Sequence, residues 1–308
     1  MSKVLAMFPG QGSQYVGMGR ELLNEFPSVK VLFEEAADAA RINIRKLCID
    51  GPEDELKLTA NTQPCILTVS VAIWKVLRDE TGIEPVYYAG HSLGEYSAVV
   101  AAGKLTLGRA AFLVRRRGEA MQQAVPPGIG AMAAVMNVPA DDLKARCEKI
   151  NKKTNVVEVV NYNSPQQLVV AGHKKAVDEL CVGLETDGLK FVMLPVSAPF
   201  HSSLMKPARD VMEPLLKESE FKTTSNEIIA NVTGKVEPDY NASHLARQID
   251  GAVLWTQTME NADKLGCDTY IEIGPGRVLF GLGRRIVPKT SKIMHTDEIV
   301  KTITELKA

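Results

Sequence analysis

Gly90-His91-Ser92-Leu93-Gly94 follows the β-rich Val86-Tyr87-Tyr88-Ala89 and runs directly into Glu95-Tyr96-Ser97-Ala98-Val99-Val100-Ala101-Ala102. A strand, a glycine-flanked serine and a helix in that order form a nucleophile elbow, a tight turn that pushes the serine hydroxyl outward. Gly90 and Gly94 stand two residues either side of Ser92, where a side chain would collide with neighbouring backbone as the turn closes. The same turn puts Ser92 at a helix N-terminus, whose free N–H groups stabilise negative charge.

Working outward, strand-like and helix-like runs alternate. Val4 to Phe8 reads as a buried strand, Pro9-Gly10-Gln11-Gly12-Ser13-Gln14 as a turn rich in N–H groups, and Gly19 to Phe26 and Gln63 to Asp79 as helices. These runs predict an α/β layered, α/β-hydrolase-like domain with a mostly parallel sheet. A further helix covers Gly108 to Ala124, and Val125-Pro126-Pro127-Gly128 is stiff enough to mark a boundary. Beyond it come a strand (131–138), a helix (140–152), two strands (156–160 and 167–171), a helix (174–186) and a strand (190–194). That β-α-β-β-α-β rhythm predicts a small ferredoxin-like domain over 126–197, inserted between 1–125 and 198–308 of the large catalytic domain. After Pro195 helices resume, with short strands at 227–232, 269–273 and 292–294, and no repeat or low-complexity tract appears.

Composition narrows the class. The 308 residues are 45% hydrophobic, enough to bury a large core, and the net charge of −1 argues against nucleic acid as a partner. The five cysteines are scattered, with no CxxC pair and no metal-ligand spacing, so they read as reduced, buried thiols and no metal is expected. The apolar run at the N-terminus is cut off by Pro9-Gly10, too short for a secretory leader, and no stretch approaches about 18 consecutive apolar residues. No membrane contact and a cytoplasmic setting are the expectation.

A serine nucleophile needs a base, and His201 is the best placed of the five histidines, in a proline-bearing loop, Val196-Ser197-Ala198-Pro199-Phe200-His201-Ser202, that leads into a helix. His91, the elbow's own neighbour, is expected to point away from Ser92. No motif supplies a third carboxylate; Asp250 or a backbone carbonyl would orient the imidazole equally well. If Gly108 to Ala124 is helical, Ala110, Leu113, Val114, Ala120, Met121 and Ala124 share one face with Arg117 at its centre, whereas Arg115 points towards water. A guanidinium on an apolar stripe implies either a buried acidic partner or a ligand that carries a carboxylate.

Six stretches together carry a resemblance: Phe8-Pro9-Gly10-Gln11-Gly12-Ser13-Gln14, Gly90-His91-Ser92-Leu93-Gly94-Glu95, Arg117-Gly118 with Met121-Gln122, Asn161-Tyr162-Asn163-Ser164-Pro165, Ala198-Pro199-Phe200-His201-Ser202 and Glu272-Ile273-Gly274-Pro275-Gly276. In this order, across nearly the whole chain, the sequence resembles the malonyl-CoA:acyl carrier protein transacylases, the stand-alone acyltransferases of bacterial fatty acid synthesis. The resemblance implies that Ser92 is acylated, that His201 is its base and acid, and that the main-chain carbonyl of Gln248 orients the imidazole. It implies an oxyanion hole from the Gln11 and Leu93 N–H groups, with Arg117 on the malonyl carboxylate and Phe200, Met121 and Asn161 also against the substrate. Phe200 matches the residue that crowds the α-carbon and favours malonyl over methylmalonyl groups.

The reaction so implied is ping-pong: malonyl passes from malonyl-CoA to Ser92 and then to the phosphopantetheine thiol of holo acyl carrier protein. It requires no cofactor, since CoA and phosphopantetheine enter as substrate carriers. Acyl carrier protein is acidic, and Arg115-Arg116, Lys152-Lys153, Lys174-Lys175 and Arg284-Arg285 are the basic pairs available to meet it. The rival readings are a polyketide-pathway acyltransferase, a serine esterase or thioesterase, and a non-catalytic acyl-binding module. An esterase has no need of a carboxylate-binding arginine, and a docking module would not keep every catalytic position filled.

Overall fold

The computed structural model describes residues 2–196 and 198–308; Met1 and Ser197, the first residue of the large domain and the last of the expected insertion, lie outside them. Among the described residues nine strands form two sheets: β1 (Val4–Phe8), β2 (Tyr87–Gly90), β3 (Gly130–Met136), β4 (Val157–Ser164), β5 (Gln167–His173), β6 (Phe191–Met193), β7 (Glu227–Ile228), β8 (Thr269–Glu272) and β9 (Lys292–His295). The first sheet has the order β7-β2-β1-β8-β9 and is parallel throughout. Parallel strands need crossover connections, and helices therefore cover both faces. Along β1 the side chains divide accordingly: Val4, Ala6 and Phe8 enter one apolar core and Leu5 and Met7 another, with period two.

The second sheet, order β4-β5-β3-β6, is antiparallel. Ala131, Ala133 and Val135 of β3 pack with the helices Ala140–Ile150 and Lys174–Thr186, whereas Met132 and Ala134 face the other way with Val169, Ala171 and Phe200. One side of this sheet is thus turned from its own helices towards the elbow.

Three details differ from the sequence expectation. The helix expected from Gln63 begins a turn earlier and spans Thr59–Thr81, with Pro64 inside it. Proline has no N–H for the carbonyl four residues back, and Arg115 Nη1 fills that place by donating to the Ala60 oxygen at 3.2 Å. Arg115 also meets Glu119 at 2.8 Å, so it is half-buried and held rather than pointing into water. The strand expected over 227–232 stops at Ile228, because the chain turns back at Gly234 (φ 64°), where Ala230 N donates to the Lys235 oxygen.

All five cysteines are buried and unpaired, and among the described residues no His, Cys, Asp or Glu cluster could hold a metal. No described helix is long and apolar enough to cross a membrane.

Candidate active site

The site lies outside the carboxyl ends of the central parallel strands, where the loops after β1 and β2 touch. In open α/β sheets this is the edge at which ligands bind, because strand order reverses there and the connections part. Packing at the elbow is tight enough to explain each glycine. A Cβ on Gly90 would stand 1.9 Å from the Gly94 carbonyl carbon, one on Gly94 1.9 Å from the Phe8 oxygen, and one on Gly10 2.4 Å from the His91 oxygen. Ser92 itself takes φ 51°, the left-handed region, and the Gly94–Ala101 helix follows.

The pairing expected from sequence is present. Ser92 Oγ and His201 Nε2 are 2.7 Å apart, and His201 Nδ1 lies 2.8 Å from the main-chain oxygen of Gln248. With that carbonyl accepting from Nδ1–H, Nε2 is left as the acceptor for the serine proton. Asp250 takes no part: it faces Arg209 at 3.3 Å, and of the two orienting groups left open by the sequence the carbonyl is the one in place. Burial, and after it the nearby Arg117 charge, pull the His201 pKa down to about 3, so the imidazole is neutral at ordinary pH. His91 turns from the serine to Asn163, with Nε2 and Oδ1 2.8 Å apart, and sets its ring edge against Trp255.

Arg117 sits where its helix stripe put it, on Leu107–Gln123, 1% exposed. It has no acid in direct contact among the described residues. Its partners are neutral oxygens: Nη1 donates to Gln63 Oε1 at 2.9 Å, and Nη2 to Gln248 Oε1 at 2.8 Å and to Ser92 Oγ at 3.1 Å. Of its five N–H donors three are so used, and Nε has no partner. Gly118 makes this placement possible, since a Cβ there would stand 2.6 Å from Ala60 Cα and hold the two helices apart. Of the two explanations for a buried arginine, an internal ion pair is not made among the described residues.

A cleft of about 210 Å³ opens over these groups, lined by Gln11, Leu93, Met121, Phe200 and His201 on one side and by Met132, Asn161, Asn163, Gln167 and Val169 on the other. Val278, Leu279 and Leu282 line it too. Among the described residues neither the Gln11 N–H nor the Leu93 N–H donates to a protein acceptor. Asn161 Oδ1 is buried without a partner. The site thus combines a serine poised on a neutral base, two unspent backbone donors and a cation: parts for attack on a carbonyl whose substrate carries a negative group.

Three residues of the network escape sequence reasoning. Gln63 interrupts the apolar face of its helix. Asn231 accepts from Ser92 N at 2.7 Å and donates to the Gly90 oxygen at 2.5 Å, pinning the elbow from a segment that reads only as a strand. Glu95, fully buried, accepts from Gln248 Nε2 at 2.6 Å and from the Tyr240 hydroxyl at 2.9 Å. Its one sequence signal is a charge inside the apolar start of the elbow helix. Of the basic pairs, Arg115 and Arg116 both engage Glu119, and Lys174 engages Asp178.

A family profile described as acyl transferase domain matches residues 6–302. The chain is 40% identical over 300 residues to the malonyl CoA-acyl carrier protein transacylase of Bacillus subtilis (strain 168), covering 96% of this chain and 94% of that one. The crystal structure of FabD from Acinetobacter baumannii superposes with a TM-score of 0.94 at 38% identity, covering 99% of this chain and 98% of that one. A malonyl-transacylase solved in complex with a type II PKS acyl-carrier protein superposes with a TM-score of 0.93 at 40% identity, covering 99% of each chain.

Proposed function

This chain belongs to the acyl transferase domain family, and from that premise we propose that it moves a malonyl group from malonyl-CoA to acyl carrier protein for fatty acid synthesis. The observation that carries the reading is the fully buried Arg117 donating to the same serine oxygen that meets His201. A buried cation beside a nucleophile is costly unless the substrate supplies an anion, and an ester-cleaving enzyme for neutral substrates would have no use for it.

Ser92 Oγ attacks the thioester carbonyl while His201 Nε2 takes its proton. The Gln11 and Leu93 N–H groups receive the negative oxygen of the tetrahedral intermediate; one such donor is worth on the order of 3 kcal/mol in comparable sites. Collapse expels the CoA thiolate, which is protonated by His201, and leaves a malonyl-serine ester. The phosphopantetheine thiol of holo acyl carrier protein then gives its proton to the same nitrogen and attacks the ester; collapse releases the malonyl thioester and the Ser92 oxygen, which takes that proton back from His201. Throughout, Arg117 holds the malonyl carboxylate in charge-assisted bonds from the donors that Gln63 and Gln248 leave free. Phe200, Met121 and Asn161 line the acyl pocket, Phe200 against the α-carbon; a single extra methyl there is worth about 1–3 kcal/mol, so the preference over methylmalonyl is leaky.

The domain reading goes with this function. The strand order β4-β5-β3-β6 supports an inserted ferredoxin-like unit over 126–197 on an α/β-hydrolase-like domain of 1–125 and 198–308, with the acyl pocket between them. No cofactor or metal enters, CoA and phosphopantetheine being carriers of the substrate, and the enzyme works in the cytoplasm with neither nucleic acid nor membrane as a partner.

The test is incubation with malonyl-CoA and holo carrier protein while the mass of the carrier is followed. Malonylation of the carrier, with a malonyl adduct on Ser92 when the carrier is omitted, is the expected result. Rapid release of free malonate with no gain in carrier mass would make the chain a thioesterase.

A further inference from the structure

One side chain, Gln248, joins the nucleophile, the cation and a carboxylate that never reaches the cleft. Its Nε2 donates to the Ser92 main-chain oxygen at 2.8 Å and to Glu95 Oε2 at 2.6 Å, while its Oε1 accepts from Arg117 Nη2 at 2.8 Å. The two ends of an amide have the same shape, so its neighbours decide which end faces where. Glu95 is fully buried and takes donors on both oxygens: Gln248 Nε2 on one, Tyr240 and the Asn231 N–H, at 3.3 Å, on the other. Glu95 Oε2 and the Ser92 oxygen both accept from Nε2, so a flipped amide would set Oε1 against two acceptors and its NH2 against a guanidinium.

We propose that Glu95 is a positioning residue for malonyl recognition: by fixing the Gln248 amide with its oxygen towards Arg117, it holds the guanidinium over Ser92 where the malonyl carboxylate must bind. Glu95 touches no substrate and acts through Gln248. Burial raises the Glu95 pKa to about 7 against the pull of its Gln248, Tyr240 and Asn231 donors and the Arg117 charge, so the carboxylate is held by those donors rather than by water. The inference rests on the malonyl-transfer reading above.

The experiment compares kcat/KM for malonyl-CoA with that for acetyl-CoA in the wild type, Glu95→Gln, Gln248→Met and the double variant, with thermal melts to establish folding. Glu95→Gln, close in shape and able to donate, is expected to lower the malonyl-to-acetyl ratio by about 10-fold or more, as loss of an oriented charge-assisted pair does. Gln248→Met keeps the main-chain carbonyl on His201, and the malonyl-to-acetyl ratio is expected to fall with it whatever happens to the absolute rates. The double variant should then be no worse than the worse single one, since both act through one amide.

A purely electrostatic role carries the opposite sign, because removing an anion from the site strengthens its hold on a carboxylate. Unchanged or increased malonyl use in folded Glu95→Gln overturns the proposal, as does equal loss with both donors. Should Glu95→Gln fail to fold, an unchanged ratio in Gln248→Met overturns it as well. Failure of the wild type to transfer malonyl at all would instead remove the function reading.

Discussion

Gly94 lies so close to Phe8 that a β-carbon on it would stand 1.9 Å from the Phe8 carbonyl oxygen. The clash is with backbone of the central strand, which cannot turn aside as a side-chain tip can. Gly94→Ala is therefore expected to push the elbow helix off β1, with a loss of about 3 kcal/mol or more in stability. Urea unfolding measures the loss, and Ser92 acylation by malonyl-CoA, followed by intact mass, should fall with it. An alanine variant as stable as the wild type would mean that the turn relaxes freely.

Arg117 spends its contacts on Gln63, Gln248 and Ser92, all neutral oxygens that tolerate its removal better than an acid would. Arg117→Ala is expected to cut kcat/KM for malonyl-CoA by about 100-fold or more while leaving acetyl-CoA use within a few-fold or improved. Arg117→Lys should recover only part of the malonyl activity, since an ammonium cannot pair bidentately with a carboxylate. Steady-state kinetics with both donors checks this, and parallel loss with both would detach the arginine from the malonyl group.

What the sequence discloses follows from where the constraint is written. The elbow is legible because its tolerance for glycine alone leaves Gly90 and Gly94 in the text, and Arg117 because a charge at the centre of an apolar stripe has few explanations. The layered architecture is legible from period and alternation. The orienting group for His201 is not, because a main-chain carbonyl has no side-chain signature; Gln248 enters through family resemblance, and Asp250, the visible acid nearby, faces Arg209 instead. Asn231 and Glu95 are hidden for another reason. Their hydrogen bonds cross 136 to 153 residues of chain, and neither local pattern nor composition encodes such closures.

His201 has its pKa lowered to about 3, first by burial and then by the Arg117 charge. The unfolded histidine, near 6.5, binds its proton more tightly than the folded one, so this group's contribution to stability is full above about pH 6.5 and is lost as pH falls towards 3. His201→Gln should flatten that part of the stability–pH curve measured by chemical unfolding between about pH 3 and 7. In catalysis the same neutrality predicts that the single-turnover rate of Ser92 acylation is flat from about pH 6 to 8, whereas an ordinary histidine would impose a fall near 6.5. A half-maximal rate near pH 6.5 would place the imidazole in a much wetter setting.

Glu272 ends β8, accepting from Leu279 N at 3.0 Å and Phe280 N at 2.7 Å and so holding the start of the Val278–Gly283 helix. Burial pushes its pKa up to about 7 against the pull of those N–H groups. A carboxyl raised on folding binds its proton more tightly in the native state, so its contribution is full below the unfolded value of about 4.5 and declines as pH rises towards 7. Glu272→Gln keeps the shape but offers one acceptor oxygen to two donors, which costs about 1–3 kcal/mol for the unpaired N–H. The variant is therefore expected to be less stable than the wild type at pH 5, with the gap narrowing by pH 8, as read from urea midpoints at the two values. Because Val278, Leu279 and Leu282 line the cleft, KM for malonyl-CoA should rise with little change in the Ser92–His201 chemistry. A gap that widens with pH would reverse the sign of the linkage and make Glu272 an ordinary ionised cap.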